Sequence, residues 1–188
     1  MNRRLFLTAA VALGAAACDR TSSRAQSPEG ATPPTGGTAA SDAGATAAAQ
    51  NDPLAVAARE WLANNARQPG VVSLPTGVQY RVLRAGPADG AHPGRDDEVK
   101  VHYEGSLTNG QVFDSSLQRG APAIMGLADL IPAWQQVVPL MRPRDDWMVY
   151  VPPEQGYGAE GRPPRIPPHS VLVFRLILLD FLPATGNA

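Results

Sequence analysis

Tyr103, Phe113 and Asp114 are the residues of this chain whose types and spacing could do chemistry together. They lie between Val99 and Ser116, where Val99, Val101 and Tyr103 alternate with Lys100, His102 and Glu104 at the period of a half-buried strand. Asn109-Gly110, the dipeptide a type I′ turn asks for, predicts a hairpin that brings Phe113 and Asp114 back beside Tyr103. Two aromatic rings and one carboxylate on such a hairpin would line a small apolar pocket with one polar group in it. Nucleophilic and paired-carboxylate catalysis find no matching set of residues. Cys18 is the only cysteine, which excludes an intramolecular disulfide and a cysteine metal site. His92, His102 and His169 are scattered without ligand spacing, so neither a metal nor another cofactor is expected.

The aromatic residues locate the folded part that must carry this hairpin. Of eleven in a chain of 188 residues, nine fall between Tyr80 and Phe181, so the core is C-terminal. Val78, Tyr80 and Val82 share one strand phase, and so do Trp147, Val149 and Val151. Val171 to Leu179 is almost wholly apolar, as a central strand covered by a helix would be. Ile131-Pro132-Ala133-Trp134 opens a short helix with proline in its first turn. A loop rich in glycine and proline, Gly156 to His169, precedes the last strand and has the character of a binding loop. Mostly antiparallel strands with one short helix make an α+β domain over residues 71–188.

Ahead of that domain, residues 52–70 predict a short amphipathic helix. Asp52 is its N-cap, Pro53 its first helical residue, and Leu54, Ala57, Ala58, Trp61 and Leu62 its apolar face, with Pro69-Gly70 as the stop. A helix this short is marginal alone, so it is expected to dock on the domain. Residues 19–51 are Ala, Gly, Ser, Thr and Pro with almost no large apolar side chain, the composition of a disordered tether. Residues 1–18 have a basic start, an apolar run and small residues before Cys18, which predicts an export signal. Asn2-Arg3-Arg4-Leu5-Phe6-Leu7 is similar to a twin-arginine signal, and Ala15-Ala16-Ala17-Cys18 to a bacterial lipobox. Lipidation at Cys18 would put the chain on the periplasmic side of a bacterial membrane, held by its acyl chains. Asp19 after the cysteine resembles an inner-membrane retention signal, and the choice between inner and outer membrane stays open. Removing Arg3 and Arg4 with the leader leaves 14 basic against 17 acidic residues, a net charge of −3 that offers no footprint for nucleic acid.

Five blocks together resemble the FKBP-type peptidyl-prolyl cis-trans isomerases. They are Val101 to Gly105, Gly110 to Ser116, Leu130 to Trp134, Tyr157-Gly158-Ala159 and Ile166 to Phe174, in family order and spacing. The entry from Leu74 to Tyr80 and Pro122-Ala123 are most similar to the bacterial macrophage infectivity potentiator branch, here as an exported lipoprotein. The resemblance implies a curved antiparallel sheet wrapped around one short helix, and acceleration of X-Pro bond rotation in exported proteins. It implies catalytic roles for Asp114, Tyr157 and the Ile131 backbone N–H. Tyr103, Phe113, Arg119, Leu130, Trp134, Ile166 and Phe174 would form the substrate pocket, with Trp134 as its floor. Proline-containing polypeptides would be the partners, and ligands of the tacrolimus and rapamycin type would bind. Relatives of that branch carry a long dimerising helical region, of which only Pro53 to Arg67 stands here, so a monomer is expected. A non-catalytic chaperone or binding module using the same groove is the alternative, favoured by Ala123, Met125 and Arg165 on the rim. Asp114 could also serve simply as a turn cap with Ser115 and Ser116.

Overall fold

The structure is a computed structural model that describes residues 52–184. The expected export signal, Cys18, the tether and residues 185–188 lie outside the described residues. Within them, helix α1 (Pro53–Asn65) precedes strands β1 (Val71–Ser73), β2 (Gln79–Arg84), β3 (Glu98–Leu107) and β4 (Val112–Ser115). A single helical turn, α2 (Ser116–Arg119), leads to β5 (Ala123–Gly126), α3 (Pro132–Val137), β6 (Asp146–Val151) and β7 (Leu172–Leu182). The seven strands form one antiparallel sheet in the order β1-β2-β6-β7-β3-β4, with β5 also paired to β3.

The longest pairing, β3 with β7, sets the core. Tyr103 stands opposite Leu176 and Gly105 opposite Phe174, so the inward phases of both strands share one face. Val99, Val101, Leu172, Leu176 and Leu178 are buried there with Trp147, Val149 and Val151 of β6. Register shifts between Val82 and Arg84, Lys100 and Val101, and Gly105 and Ser106 mark irregularities that bend strands and add twist. The bent face packs on α3, whose Ala133, Trp134 and Val137 are buried. Six residues could not hold a helix alone, so α3 exists through this packing. Pro132 starts it, and Pro139, which has no N–H to give back to Gln135, keeps it from running on.

The other face of β6 and β7 is covered by α1. Ala58 and Leu62 pack there against Tyr150 and Val171, and the Trp61 ring lies 5.9 Å from that of Tyr150. The buried stripe is Ala55, Ala58 and Leu62; Leu54 and Ala57, expected on the apolar face, are exposed and border a shallow groove with Pro167 to Val171. The helix also stops at Asn65, five residues short of Gly70. The buried Gln79 side chain explains the early end. Its amide donates to the Leu62 carbonyl at 3.0 Å, while Asn65 Nδ2 donates to Gln79 Oε1 at 2.8 Å. The chain then unwinds through three-residue turns at Arg67 and Gln68 to Gly70, at φ +78°.

The β3–β4 connection differs from the turn expected of Asn109-Gly110. Only Gly110 has positive φ, and its N–H donates to the Leu107 carbonyl at 2.9 Å. A type I′ turn needs positive φ at both central residues; this loop is a type I turn closed by a left-handed glycine. Val82, expected on the inward phase of β2, is exposed, because it lies at the irregularity where β2 parts from β6.

Candidate active site

The bulge at Phe113 is what gathers the site. Gly105 pairs with Asp114 and Ser106 with Val112, which leaves Phe113 as the extra residue of β4. In a regular strand neighbouring side chains point to opposite faces. The bulge sends Phe113 and Asp114 to the same side, where both line one cavity. Gly105 makes room for it: a Cβ there would come within 2.7 Å of both the Phe113 and Phe174 rings.

That cavity, about 170 Å³, is lined by Tyr103, Phe113, Asp114, Met125, Leu130, Ile131, Trp134, Tyr157 and Phe174. Trp134 is buried at its floor, edge-on to Tyr103 at 5.4 Å and to Phe174 at 5.4 Å; Phe113 meets Phe174 edge-on at 5.7 Å. These tilted pairs fix the ring planes through their quadrupoles as well as by packing. The Trp134 indole N–H is buried and has no partner among the described residues. Tyr157 comes from a loop tied down at several points. Gly158, at φ +63°, donates to the Pro153 carbonyl at 2.7 Å, and Gly161 donates to the Tyr157 carbonyl at 3.0 Å. Ile131 is the N-cap residue of α3, which puts its backbone at the cavity wall.

One carboxylate stands in this apolar wall, that of Asp114, and two residues hold it. The Tyr103 hydroxyl donates to Asp114 Oδ2 at 2.5 Å, and the Arg119 guanidinium pairs with Asp114 Oδ1. Arg119 Nη2 also donates to the Tyr103 oxygen at 2.9 Å. Burial pushes the Asp114 carboxyl up, but hydrogen bonds from Tyr103 and Arg119 outweigh it and leave the group below its ordinary value. Burial and the adjacent Asp114 push the Tyr103 phenol up. Asp114 is therefore an ionised, oriented carboxylate. It is not the turn cap, since Ser115 caps α2 by accepting from the Gln118 N–H at 3.2 Å. Ser116 instead accepts from the Tyr103 N–H at 2.7 Å, which pins α2 to β3.

Eight of the ten expected pocket and catalytic residues line this one cavity. Arg119 stands behind Asp114, in an outer groove. Ile166 is displaced to the wall of an adjoining chamber, with Phe113, Asp114, Tyr157 and Arg162. Gly105 and Arg162 were not among the expected residues; a glycine inside a strand of alternating burial was the available signal for the first.

An apolar, proline-sized cavity floored by an indole, on an antiparallel sheet folded over a short helix, defines a class of prolyl-bond binding domains. The chain belongs to the FKBP-type peptidyl-prolyl cis-trans isomerase family. Residues 90–179 match the model for FKBP-type peptidyl-prolyl cis-trans isomerase, and residues 22–82 that for the domain amino-terminal to it. The chain is 45% identical over 122 residues to the peptidyl-prolyl cis-trans isomerase Mip of Coxiella burnetii, covering 65% of this chain and 52% of that one. It is 39% identical to the outer membrane protein MIP of Legionella longbeachae, covering 64% and 51% respectively. The chain thus spans about half the length of these curated relatives. The crystal structure of a peptidyl-prolyl cis-trans isomerase from Pseudomonas syringae superposes with a TM-score of 0.64 at 32% identity, covering 68% of this chain and 92% of that one.

Proposed function

We propose that this protein is a peptidyl-prolyl cis-trans isomerase that speeds X-Pro bond rotation in exported polypeptides. The observation that carries this reading is the Trp134-floored cavity with the single ionised carboxylate of Asp114 in its wall. Rotation about an X-Pro bond is slow because resonance gives its C–N bond double-bond character, with a barrier of about 18–20 kcal/mol. The twisted amide has lost that resonance and is less polar than the planar one. An apolar cavity therefore binds the twisted form better than the ground state, and each ~1.4 kcal/mol of that difference gives about tenfold in rate. The proline ring sits on Trp134, the Ile131 N–H and the Tyr157 hydroxyl donate to substrate carbonyls, and Asp114 faces the turning amide. Neither a nucleophile nor a metal takes part in these steps.

The test is the cis-to-trans rate of an X-Pro peptide with and without the protein. Acceleration abolished by tacrolimus supports the reading, and no acceleration at micromolar protein overturns it. The rim favours a second reading as a non-catalytic binding module, because Arg165 Nη1 donates to the Phe113 carbonyl at 3.1 Å beside the cavity. Asp114→Ala and Tyr157→Phe separate the two: biological activity that survives lost isomerisation favours binding.

The same proposal takes the chain to be an exported lipoprotein monomer, anchored through Cys18 on the periplasmic side of a bacterial membrane by a tether over residues 19–51. The twin-arginine-like start, the lipobox-like Ala15 to Cys18 and the likeness to the outer membrane protein MIP of Legionella longbeachae support it. Among the described residues no helix is long and apolar enough to cross a membrane. Cys18→Ser is expected to release the protein from membranes, and continued membrane association would refute lipidation.

A further inference from the structure

Beside the Trp134-floored cavity lies a second chamber of about 380 Å³, lined by Phe113, Asp114, Tyr157, Arg162, Pro163, Pro164, Arg165 and Ile166. The two share Phe113, Asp114 and Tyr157, so one peptide can occupy both at once. Their chemistry differs sharply: the first is apolar, whereas the second carries two guanidinium groups.

Those guanidiniums stand on a braced loop. Arg162 and Ile166 exchange both backbone hydrogen bonds, at 2.8 and 3.0 Å, so the segment between them is closed as a small antiparallel turn. The Arg162 guanidinium lies 5.7 Å from the centre of the Tyr157 ring. Arg165 donates through Nη1 to the Phe113 carbonyl at 3.1 Å, which ties its guanidinium to another lining residue of the chamber. A guanidinium has five N–H donors, so most of Arg165's remain available. The one carboxylate in the chamber wall, Asp114, is already bound by Tyr103 and Arg119. Neither Arg162 nor Arg165 has a carboxylate partner among the described residues.

Resting on the isomerase reading above, we infer that this chamber receives the residue preceding proline and selects an acidic side chain there. Asp114 faces the X-Pro amide in that reading, and the chamber lies on the Asp114 side of the proline cavity. The residue joined to proline through that amide is the one that enters. A glutamate or aspartate side chain meets two cations there, and a lysine meets like charge. Arginine pairs with carboxylates through its fork of donors, which favours a planar acid over a neutral polar group.

Peptides differing only at the residue before proline (Glu, Leu or Lys) test this with the full chain. Rates come from exchange spectroscopy by NMR, which needs no coupling protease, and affinities from calorimetry. Two unit charges about 4 Å apart in water interact by about 1 kcal/mol, or roughly fivefold. Glu-Pro is therefore expected to exceed Lys-Pro by roughly fivefold or more, and the ratio to shrink at about 0.5 M salt. Arg165→Gln and Arg162→Gln should each lower the Glu/Lys ratio, and Arg165→Glu, which sets one cation against one anion, should bring it close to one. Because each ratio is internal to one protein, a general loss of activity does not imitate the effect. Equal handling of Glu-Pro and Lys-Pro by the unsubstituted protein overturns the inference. So does a ratio that survives the arginine substitutions, or a preference seen only for Glu placed after proline. Absence of acceleration with every peptide would fail the isomerase reading alone, since the affinities still report the charge preference.

Discussion

Gly105 stands directly opposite Asp114 across the β3–β4 ladder, and the residue between Asp114 and the next pair, Phe113, has no partner. This relationship ties fold to site. The missing side chain at Gly105 leaves the space into which the Phe113 and Phe174 rings lean, and the bulge beside it turns Phe113 and Asp114 to one face. A hydrophobic wall and its one carboxylate thus come from two consecutive residues, which a regular strand would have separated.

Gly105→Ala is expected to damage stability and binding together. The added Cβ would meet carbons of both rings at 2.7 Å, and the strand backbone has little room to retreat between β4 and β7. Overpacking of this kind costs about 1–3 kcal/mol. Chemical denaturation should show that loss, and tacrolimus affinity should fall with it because the rings that move are pocket walls. Full stability with unchanged affinity would contradict this account of the glycine.

The isomerase rate should be flat across the neutral range. Asp114 lies below its ordinary value, so it is ionised from the ordinary carboxylate range upward, and its contribution to stability is lost only as pH falls through that lowered value. Tyr103 is raised, so its phenol stays protonated through about pH 10, and its contribution is lost as pH rises through the raised value. A pH-rate profile should thus be level between about pH 5 and 9. Tyr103→Phe removes one donor that holds Asp114 down, and the acid limb should move to higher pH. Asp114→Ala should lower kcat/KM roughly tenfold, as about 1.4 kcal/mol of transition-state stabilisation by the oriented carboxylate is lost. A single step in the profile with its midpoint near pH 6.5 would point to a histidine instead.

Parts of this structure written in a local period could be read directly from the chain. The alternation of Val99, Val101 and Tyr103 survives as the buried phase of β3. The apolar run from Val171 became β7 because β6 and β3 flank it, α3 lies on one face and α1 covers Val173 on the other. Features decided by distant partners were not legible. Asn109-Gly110 suits two turn types, and the choice between them goes with the pairing of β4. The end of α1 depends on Gln79, 14 residues beyond Asn65 in the chain. The place of Ile166 depends on its pairing with Arg162, within a loop whose composition announces no strand. Among the site residues, those on regular elements were therefore easier to place than those on the Gly156 to His169 loop.

The Arg175–Asp146 pair bridges β7 and β6 on the sheet's outer face and should matter more than an ordinary surface ion pair. Arg175 Nε and Nη2 reach the two Asp146 oxygens at 3.1 and 2.8 Å, and the Asp146 side chain is only 9% exposed. Its hydrogen bonds to Asp146 push the Arg175 guanidinium above its already high ordinary value. Exposed pairs are worth about 0–1 kcal/mol, but removing Arg175 would leave a nearly buried carboxylate without its partner, at about 1–3 kcal/mol. Arg175→Met should lower the denaturation midpoint accordingly. Asp146→Leu added to it should recover most of the loss, because both charges are then gone. If the double variant is no better than the single, the cost lies in packing and not in the stranded charge.

Gln79 should control how firmly α1 is held to the domain. Its buried side chain donates to the Leu62 carbonyl and accepts from Asn65, so it closes the end of the helix from β2. The apolar contact beneath α1 is small, being built on Ala58, Leu62, Tyr150 and Val171. A 13-residue helix has little stability of its own, so the closing hydrogen bonds carry a large share of its order. Gln79→Leu keeps the volume and removes both bonds, leaving the Leu62 carbonyl with the Ala66 N–H alone and the Asn65 side-chain amide to find another partner, at about 1–2 kcal/mol. Hydrogen exchange should then quicken through residues 58–68, by roughly tenfold for each 1.4 kcal/mol lost. Amides of β3 and β7 should keep their protection, because the core on the opposite face does not include Gln79. Quickening spread equally over the whole sheet would mean that α1 unfolds only together with the domain.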